Sequence, residues 1–178
     1  MSRIFGPVTQ NGYVVTDLEE AMRHWTQILG VGPFFSLPNS TFQSHRYKGE
    51  ESSPEIRIAL ANSGDLQIEL IQQVNDAPSP YVDFLEDGKP GLHHLSVWSR
   101  NYDADVARYD AMGLTRLSEG KLNDGPGFIY YDTGYHDGSV MEVLDLMTPP
   151  AWELFEFVRE AARDWDGSDP IRYIDLPA

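Results

Sequence analysis

The chain has 178 residues, no cysteine and a formal net charge of −15, and 41% of its residues are hydrophobic. This length fits one domain or two small halves that share a core, and the missing cysteines exclude disulfides, thiolate metal sites and cysteine nucleophiles. The negative charge opposes binding to nucleic acid or to anionic membranes. No apolar run is long enough to span a bilayer and no secretory signal is recognisable, so a cytoplasmic location is expected.

The first predicted elements are a strand and a helix. Residues 10–15 (QNGYVV) are typical of a strand, and the acidic residues after Thr16 indicate a helix start. Apolar residues then recur at helical spacing, and Gly30 lies where the helix should end. Further strands are predicted, between turn residues, at 34–37, 42–47, 55–61 and 67–73.

The same order of elements recurs in the second half. Residues 94–98 (HLSVW) are strand-like, residues 103–112 fit a helix, and further strands are predicted at 114–118, 128–132 and 140–146. The two first strands begin 84 residues apart (94 minus 10), so a duplicated βαβββ unit is the economical explanation. Module 1 is expected at about residues 8–75 and module 2 at about 91–147, joined by a short connection that is rich in proline and glycine.

Residues 148–178 are expected to form a C-terminal helix and a tail. Thr148, Pro149 and Pro150 are typical of a helix start, and apolar residues between Ala151 and Trp165 lie along one helical face. The helix is expected to cover an exposed part of the sheet. A contact between two copies of the chain is the alternative.

Strand parity selects a small set of polar residues. In residues 66–70 (LQIEL) the apolar side chains should pack under the helices, which leaves Glu69 on the opposite, open face. The same rule places three more polar residues on open faces: Gln10, His94 and Glu142. Two carboxylates, an amide oxygen and an imidazole are suitable ligands for a divalent cation. Taken singly, a strand glutamate is more often solvated and a histidine more often bonded to the backbone.

Four stretches carry a resemblance to a known family. QNGYVVTDLEEAMRHWTQILGVGPF and GLHHLSVWSRNYDADVARYDAMG open the two halves, and IEL and MEVLD close them. They resemble the vicinal oxygen chelate superfamily, which includes glyoxalase I, methylmalonyl-CoA epimerase, extradiol dioxygenases and antibiotic-resistance binding proteins. The junction SPYVDFLEDGKPGLHHLSVW is similar to the epimerase branch. The resemblance implies an α+β fold of two tandem βαβββ modules that form a cupped mixed sheet over residues 1–147, followed here by the C-terminal helix.

The resemblance also implies a metal site. In the superfamily the ligands come from the first and last strands of each module, which correspond here to Gln10, Glu69, His94 and Glu142. The first ligand is often histidine, so Gln10 is a departure, although some glyoxalase I enzymes have this same set of Gln, Glu, His and Glu. The set argues against the extradiol dioxygenases, whose iron is held by two histidines and one carboxylate. The implied cofactor is a divalent ion of Zn, Ni, Co or Mn.

The activity implied by the resemblance is proton abstraction next to a carbonyl, by an isomerase, an epimerase or a glyoxalase-type lyase. Glu142 is expected to be the catalytic base, with Glu69 as the second candidate. The substrate is expected to be a small carbonyl compound or a thioester, and the basic residues form no motif for coenzyme A or glutathione. A metal-free protein that sequesters a hydrophobic compound is the alternative. Superfamily members commonly dimerise, so a homodimer is compatible with the resemblance.

Aromatic residues near the predicted site are candidates for the walls of a substrate pocket, although core packing is the commoner role for any one of them. The candidates are Phe34, Phe42, Trp98 and Tyr130. The neighbouring histidine, His93, is expected to pack under the helices with its ring donating a hydrogen bond to a backbone carbonyl.

Overall fold

The computed structural model describes residues 2–37, 40–87, 89–123, 125–136, 138–148 and 151–174. In these ranges the helices are α1 (Leu18–Gln27), α2 (Pro80–Asp87), α3 (Tyr102–Ala111) and α4 (Ala151–Arg163). The strands are β1 (Gln10–Val14), β2 (Phe34–Ser36), β3 (Phe42–Tyr47), β4 (Glu50–Glu51), β5 (Ile56–Ser63), β6 (Leu66–Gln73), β7 (Gly91–Ser99), β8 (Thr115–Leu122), β9 (Gly127–Asp132), β10 (Val140–Asp145) and β11 (Ile171–Tyr173). None of the helices in the described ranges is long and apolar enough to cross a membrane.

The strands form one mixed sheet in the order β11-β2-β5-β6-β1-β7-β10-β9-β8-β3-β4. The halves meet at its centre, where β1 and β7 pair antiparallel. Outward from this seam the first half runs β1, β6, β5, β2 and the second runs β7, β10, β9, β8. Each first strand is parallel to the last strand of its own module. The duplication and the α+β fold predicted from the sequence are therefore confirmed.

The strand predicted at 42–47 has its partner in the other half of the molecule. It forms β3, which pairs antiparallel with β8 of module 2 and carries the short strand β4 on its other side. The chain between β2 and β5 thus crosses to the far edge of the sheet. Strand pairing of this kind joins residues far apart in the chain, and a local pattern does not reveal it.

Two cores lie on the outer face of the sheet, where the helices pack. The core under α1 includes Met22, Ile68 and Leu70, and the core under α3 includes Val97 and Tyr131. The apolar side chains of β6 and β7 therefore face the helices, as the alternation in the sequence predicts. Complete burial of such a side chain stabilises the fold by roughly 1.5–3 kcal/mol.

A third core fills the inner face of the sheet and includes the C-terminal helix. Val158 of α4 is fully buried, and the Phe155 ring stacks on Trp98 with ring centroids 4.6 Å apart. After α4 the chain returns to the sheet, where β11 pairs in parallel with β2. The helix covers the sheet of its own chain, as the sequence predicts. The expected start at Pro149 and Pro150 lies outside the described residues.

Candidate active site

Strand register places the predicted polar residues in two rows across the centre of the sheet. In one row, Gln10 is opposite Ser96, and Ser96 is opposite Glu142 on β10. In the other row, Gly12 of β1 is opposite both Glu69 and His94. Because the rows are two residues apart along each strand, their side chains share one face of the sheet. Gln10, Glu69, His94 and Glu142 therefore project from neighbouring positions into the same space.

His94 brings the two carboxylates together. Its Nε2 atom is 3.4 Å from Oε2 of Glu69 and 3.6 Å from Oε2 of Glu142. The His94 side chain is fully buried, the Glu142 side chain is 5% exposed and the Glu69 side chain is 13% exposed. Of the two carboxylates, Glu69 is therefore the more accessible to a ligand.

The pKa values of this cluster reflect its burial. Burial raises the pKa of the Glu142 carboxyl to about 7; nearby His94 opposes the rise and Glu69 adds to it. Burial alone would lower the pKa of His94, but the carboxylates of Glu142 and Glu69 outweigh it and the net shift is upward. Both His94 and Glu142 therefore bind a proton more readily in the folded chain than at their ordinary pKa values.

A β-bulge changes the expected position of His93. Gly12 is opposite His94 and Tyr13 is opposite Leu92, so His93 is the extra residue on β7. Its ring lies beside that of Tyr130, as the His94 ring does. His93 is therefore buried as expected, but on the inner face against Tyr81 and Phe84 of α2 rather than under α1 and α3. Its Nδ1 lies 3.0 Å from Nδ1 of His94 rather than on a backbone carbonyl.

The contact between the two imidazoles bears on the tautomer of His94. Burial and the neighbouring His94 lower the pKa of His93 well below its ordinary value, so His93 is neutral. A neutral His93 can accept a hydrogen bond from Nδ1 of His94, so when His94 is itself neutral its Nε2 lone pair faces Glu69 and Glu142. Sequence parity missed this role because the bulge interrupts the alternation.

Unpaired polar atoms test whether the cluster suits a divalent cation. Gln10 Oε1, His94 Nε2 and Glu142 Oε2 are buried and have no hydrogen-bond partner among the residues that the structure describes. Gln10 Nε2 donates to Gln67 Oε1 at 2.8 Å, which leaves the Gln10 oxygen as the free acceptor. Buried polar atoms are rarely left unpaired, so three in one cluster indicate a missing partner that accepts lone pairs.

Distances and donor types agree with this interpretation. Ligands about 2.1 Å from a tetrahedral cation lie about 3.4 Å apart, close to the separations that join His94 to Glu69 and Glu142. Among the described residues, however, no group of three or more His, Asp or Glu side chains is placed so that it could hold a metal ion. The fit therefore rests on the unpaired buried atoms and on the nitrogen and oxygen donors, with the Gln10 amide as the fourth group.

A cavity of about 1030 Å³ adjoins the cluster, and Glu69 forms part of its lining. Sheet residues such as Ile58 and Leu60 line one side. Residues of α4 and β11 line the other, among them Phe155 and Ile171. The C-terminal helix could be predicted, but the contribution of β11 could not, because the tail after α4 has no recognisable pattern.

The predicted wall residues have different positions. Phe34 lies in the outer core under α1, and its neighbour Phe35 lines the cavity instead. Trp98 is covered by the Phe155 ring. Tyr130 lies against His94, and its hydroxyl shares a 3.0 Å hydrogen bond with that of Tyr81. Phe42 lines a separate cavity of about 660 Å³ near β3 and β8.

Comparisons with known proteins agree with the fold. The model of the glyoxalase/bleomycin resistance protein/dioxygenase superfamily matches residues 9–131. No curated protein matches this sequence. Among solved structures, methylmalonyl-CoA epimerase from Mycobacterium tuberculosis has a TM-score of 0.58 at 17% identity, covering 82% of this chain and 91% of its own.

Two further structures are similar to a comparable degree. A hypothetical protein from Bacillus halodurans C-125 has a TM-score of 0.55 at 15% identity, covering 78% of this chain and 93% of its own. Methylmalonyl-CoA epimerase from Streptomyces coelicolor, in complex with 2-nitronate-propionyl-CoA, has a TM-score of 0.53 at 15% identity, with the same coverage. At these identities the likeness shows a shared fold.

Proposed function

This chain belongs to the glyoxalase/bleomycin resistance protein/dioxygenase superfamily, and on that premise we propose that it is a metal-dependent enzyme of proton transfer. It acts as an isomerase or epimerase, or as a glyoxalase-type lyase, on a substrate with a proton next to a carbonyl. The observation that carries the proposal is the placement of His94 between the carboxylates of Glu69 and Glu142 beside a cavity. The methylmalonyl-CoA epimerases of similar fold support proton transfer as the type of reaction.

The proposed ligands for a divalent ion of Zn, Ni, Co or Mn are the four residues of the cluster: Gln10, Glu69, His94 and Glu142. The unpaired buried atoms of three of them support this set. When bound, such an ion supplies Lewis-acid stabilisation of the negative charge that develops on the substrate carbonyl during proton removal.

The proposed roles of the carboxylates follow from their surroundings. Glu142 is the leading base, because its buried carboxyl lies 3.6 Å from Nε2 of His94 and burial raises its pKa, which favours the form that has taken up a proton. Glu69 is the second base, because it lines the cavity and approaches Nε2 of His94 from a different strand. When one carboxylate removes a proton and the other, in its protonated form, delivers its own proton to the opposite face of the same carbon, the result is epimerisation. Return of a proton to the neighbouring carbon gives isomerisation.

Solvent-deuterium incorporation tests this function. Metal-loaded protein is incubated in D2O with 2-oxo acids, hemithioacetals and acyl thioesters, and carbon-bound deuterium is followed by NMR. Glu142→Gln is expected to slow incorporation by about 100-fold or more while metal content is retained. Glu69→Gln is compared in parallel, with Glu160→Gln on the exposed side of α4 as the control. Unchanged incorporation in both cluster variants would refute proton transfer by these carboxylates.

A second candidate function, sequestration of a small hydrophobic compound, is favoured by the largely apolar cavity beside the cluster. The same experiment separates the two functions. A binding protein retains its ligand with no deuterium incorporation in the wild type, whatever substrate class is offered.

A further inference from the structure

We propose that the large cavity selects neutral, apolar carbonyl compounds over anionic ones, and that α4 and β11 supply the wall that makes this selection. The inference rests on the proposed function, since it concerns the substrate of the same site. It distinguishes this chain from the Streptomyces coelicolor epimerase, whose structure holds a coenzyme A compound.

The selecting wall comes from a part of the chain outside the family match. The superfamily model ends at residue 131, whereas α4 and β11 lie at 151–163 and 171–173. From this segment Leu154, Phe155, Phe157 and Tyr173 line the cavity. Substrate preference can therefore differ from that of superfamily members that have the same sheet.

This wall is attached firmly to the sheet. Phe155 stacks on Trp98, and Phe157 lies edge-on to Phe35 with ring centroids 4.9 Å apart. Val158 is fully buried, and Ile171 is in register with Phe34 of β2. The segment is thus part of the cavity as folded, and its side chains determine what the cavity accommodates.

The charges of the lining disfavour anions. The charged residues in the described lining are three acids and one base: Glu69, Glu153, Asp169 and Arg172. Arg172 is already paired, because its Nε is 3.2 Å from Oδ2 of Asp169 and its guanidinium lies over the Phe35 ring. Asp169 already offsets the one base and Glu153 adds a further negative charge, so a substrate carboxylate or phosphate would meet net negative charge at this wall. The net charge of −15 acts in the same direction.

Exposed aromatic residues favour an apolar ligand. Phe157 and Tyr173 line the cavity and are 54% and 68% exposed, respectively. When a ligand covers large apolar side chains that otherwise lie in solvent beside a cavity, the burial stabilises the complex. A neutral hydrophobic molecule covers this surface without bringing charge near the lining acids.

The test uses a matched pair of probes, 2-acetylnaphthalene and 2-naphthoate, which have nearly the same shape but differ by one negative charge. Binding is measured by titration calorimetry on wild-type protein and on His94→Ala. In both proteins the neutral ketone is expected to bind about tenfold or more tightly than the carboxylate. Equal or tighter binding of naphthoate, or tighter binding of acetyl-CoA than of the ketone, would overturn the inference.

Two sets of variants assign the effect to the wall. The double variant Asp169→Asn, Glu153→Gln removes the carboxylate partner of Arg172, so the ratio of ketone affinity to naphthoate affinity should fall about threefold or more. Asp164→Asn, which lies outside the lining, should leave this ratio unchanged. Leu154→Trp should weaken ketone binding, and Glu160→Trp on the same helix should leave it unchanged. An unchanged preference and affinity in the wall variants would refute the role of α4 and β11.

The two proposals can fail separately. Loss of deuterium incorporation with an intact preference for the ketone refutes the enzyme but not the cavity selectivity. Incorporation into anionic thioesters, with tight acetyl-CoA binding, refutes the selectivity but not proton transfer.

Discussion

The imidazole of His94 lies directly over the α-carbon of Gly12: a β-carbon at residue 12 would be 1.9 Å from Cε1 of His94 and 2.3 Å from its Nε2. Gly12 is on β1, between the strands that carry His94 and Glu69. The ring can reach across β1 toward Glu69 because the residue beneath it has no side chain. The glycine is thus a requirement of the cluster rather than of a turn.

Gly12→Ala should therefore displace the His94 ring. Any other position of the ring removes Nε2 from the carboxylates, so we expect metal affinity to fall by about 10–100-fold, as for other changes that misplace a ligand. Stability should fall by about 1–3 kcal/mol from overpacking. Metal titration and chemical denaturation measure the two effects. The control is Gly91→Ala on β7, where the nearest atom to an added β-carbon is 3.8 Å away.

His94→Ala should remove metal binding. Elemental analysis of protein purified without a histidine tag, before and after addition of Zn²⁺, Ni²⁺, Co²⁺ and Mn²⁺, is expected to give about one ion per chain for the wild type and a large loss in the variant. His24→Ala, on the exposed face of α1, is the control. A wild type that binds none of these ions would contradict the proposed metal site and favour the metal-free binding protein.

Phe155→Ala should loosen α4 from the sheet. The Phe155 ring is buried and stacked on Trp98, so its removal should lower the free energy of unfolding by about 3 kcal/mol or more. Glu160→Ala on the same helix is the control, because Glu160 is exposed and its effect should be below about 1 kcal/mol. Urea denaturation measures both. Equal losses would show that α4 is not held by the Trp98 contact.

His45 should make stability depend on acid pH. Burial lowers the pKa of His45 from 6.5 to about 4, and its Nε2 lies 3.0 Å from Ser118 Oγ. The unfolded chain therefore takes up a proton below about pH 6.5 that the folded chain excludes until about pH 4. This costs up to about 3 kcal/mol of stability as the pH falls through that range.

His45→Gln should flatten this part of the stability profile, since an amide can still bond to Ser118 but does not titrate. The free energy of unfolding is measured from pH 7 to pH 4 for the variant, the wild type and His24→Gln. If the free energy of unfolding falls equally at acid pH in the wild type and in His45→Gln, groups other than His45 cause the fall.

The order of elements and the duplication could be predicted from the sequence because each depends on a local pattern. Helical spacing after Thr16 and the alternation in residues 66–70 are properties of a few neighbouring residues. The same alternation placed Gln10, Glu69, His94 and Glu142 on one side of their strands, and the structure has them on one face of the sheet.

What depends on contacts between distant residues was decided only in the tertiary structure. The bulge that turns His93 toward Tyr130 arises from the pairing of β7 with β1, and alternation within β7 alone gives no sign of it. Phe34 and Phe35 are both apolar, so parity does not say which one lines the cavity.

The sequence by itself therefore determined which residues share a face, because side-chain direction follows from backbone geometry one residue at a time. It did not determine that His94 crosses Gly12 to reach Glu69, or that α4 returns to form a wall of the cavity. Those relationships require strand register and packing across the whole sheet, which form only when segments far apart in the chain come together.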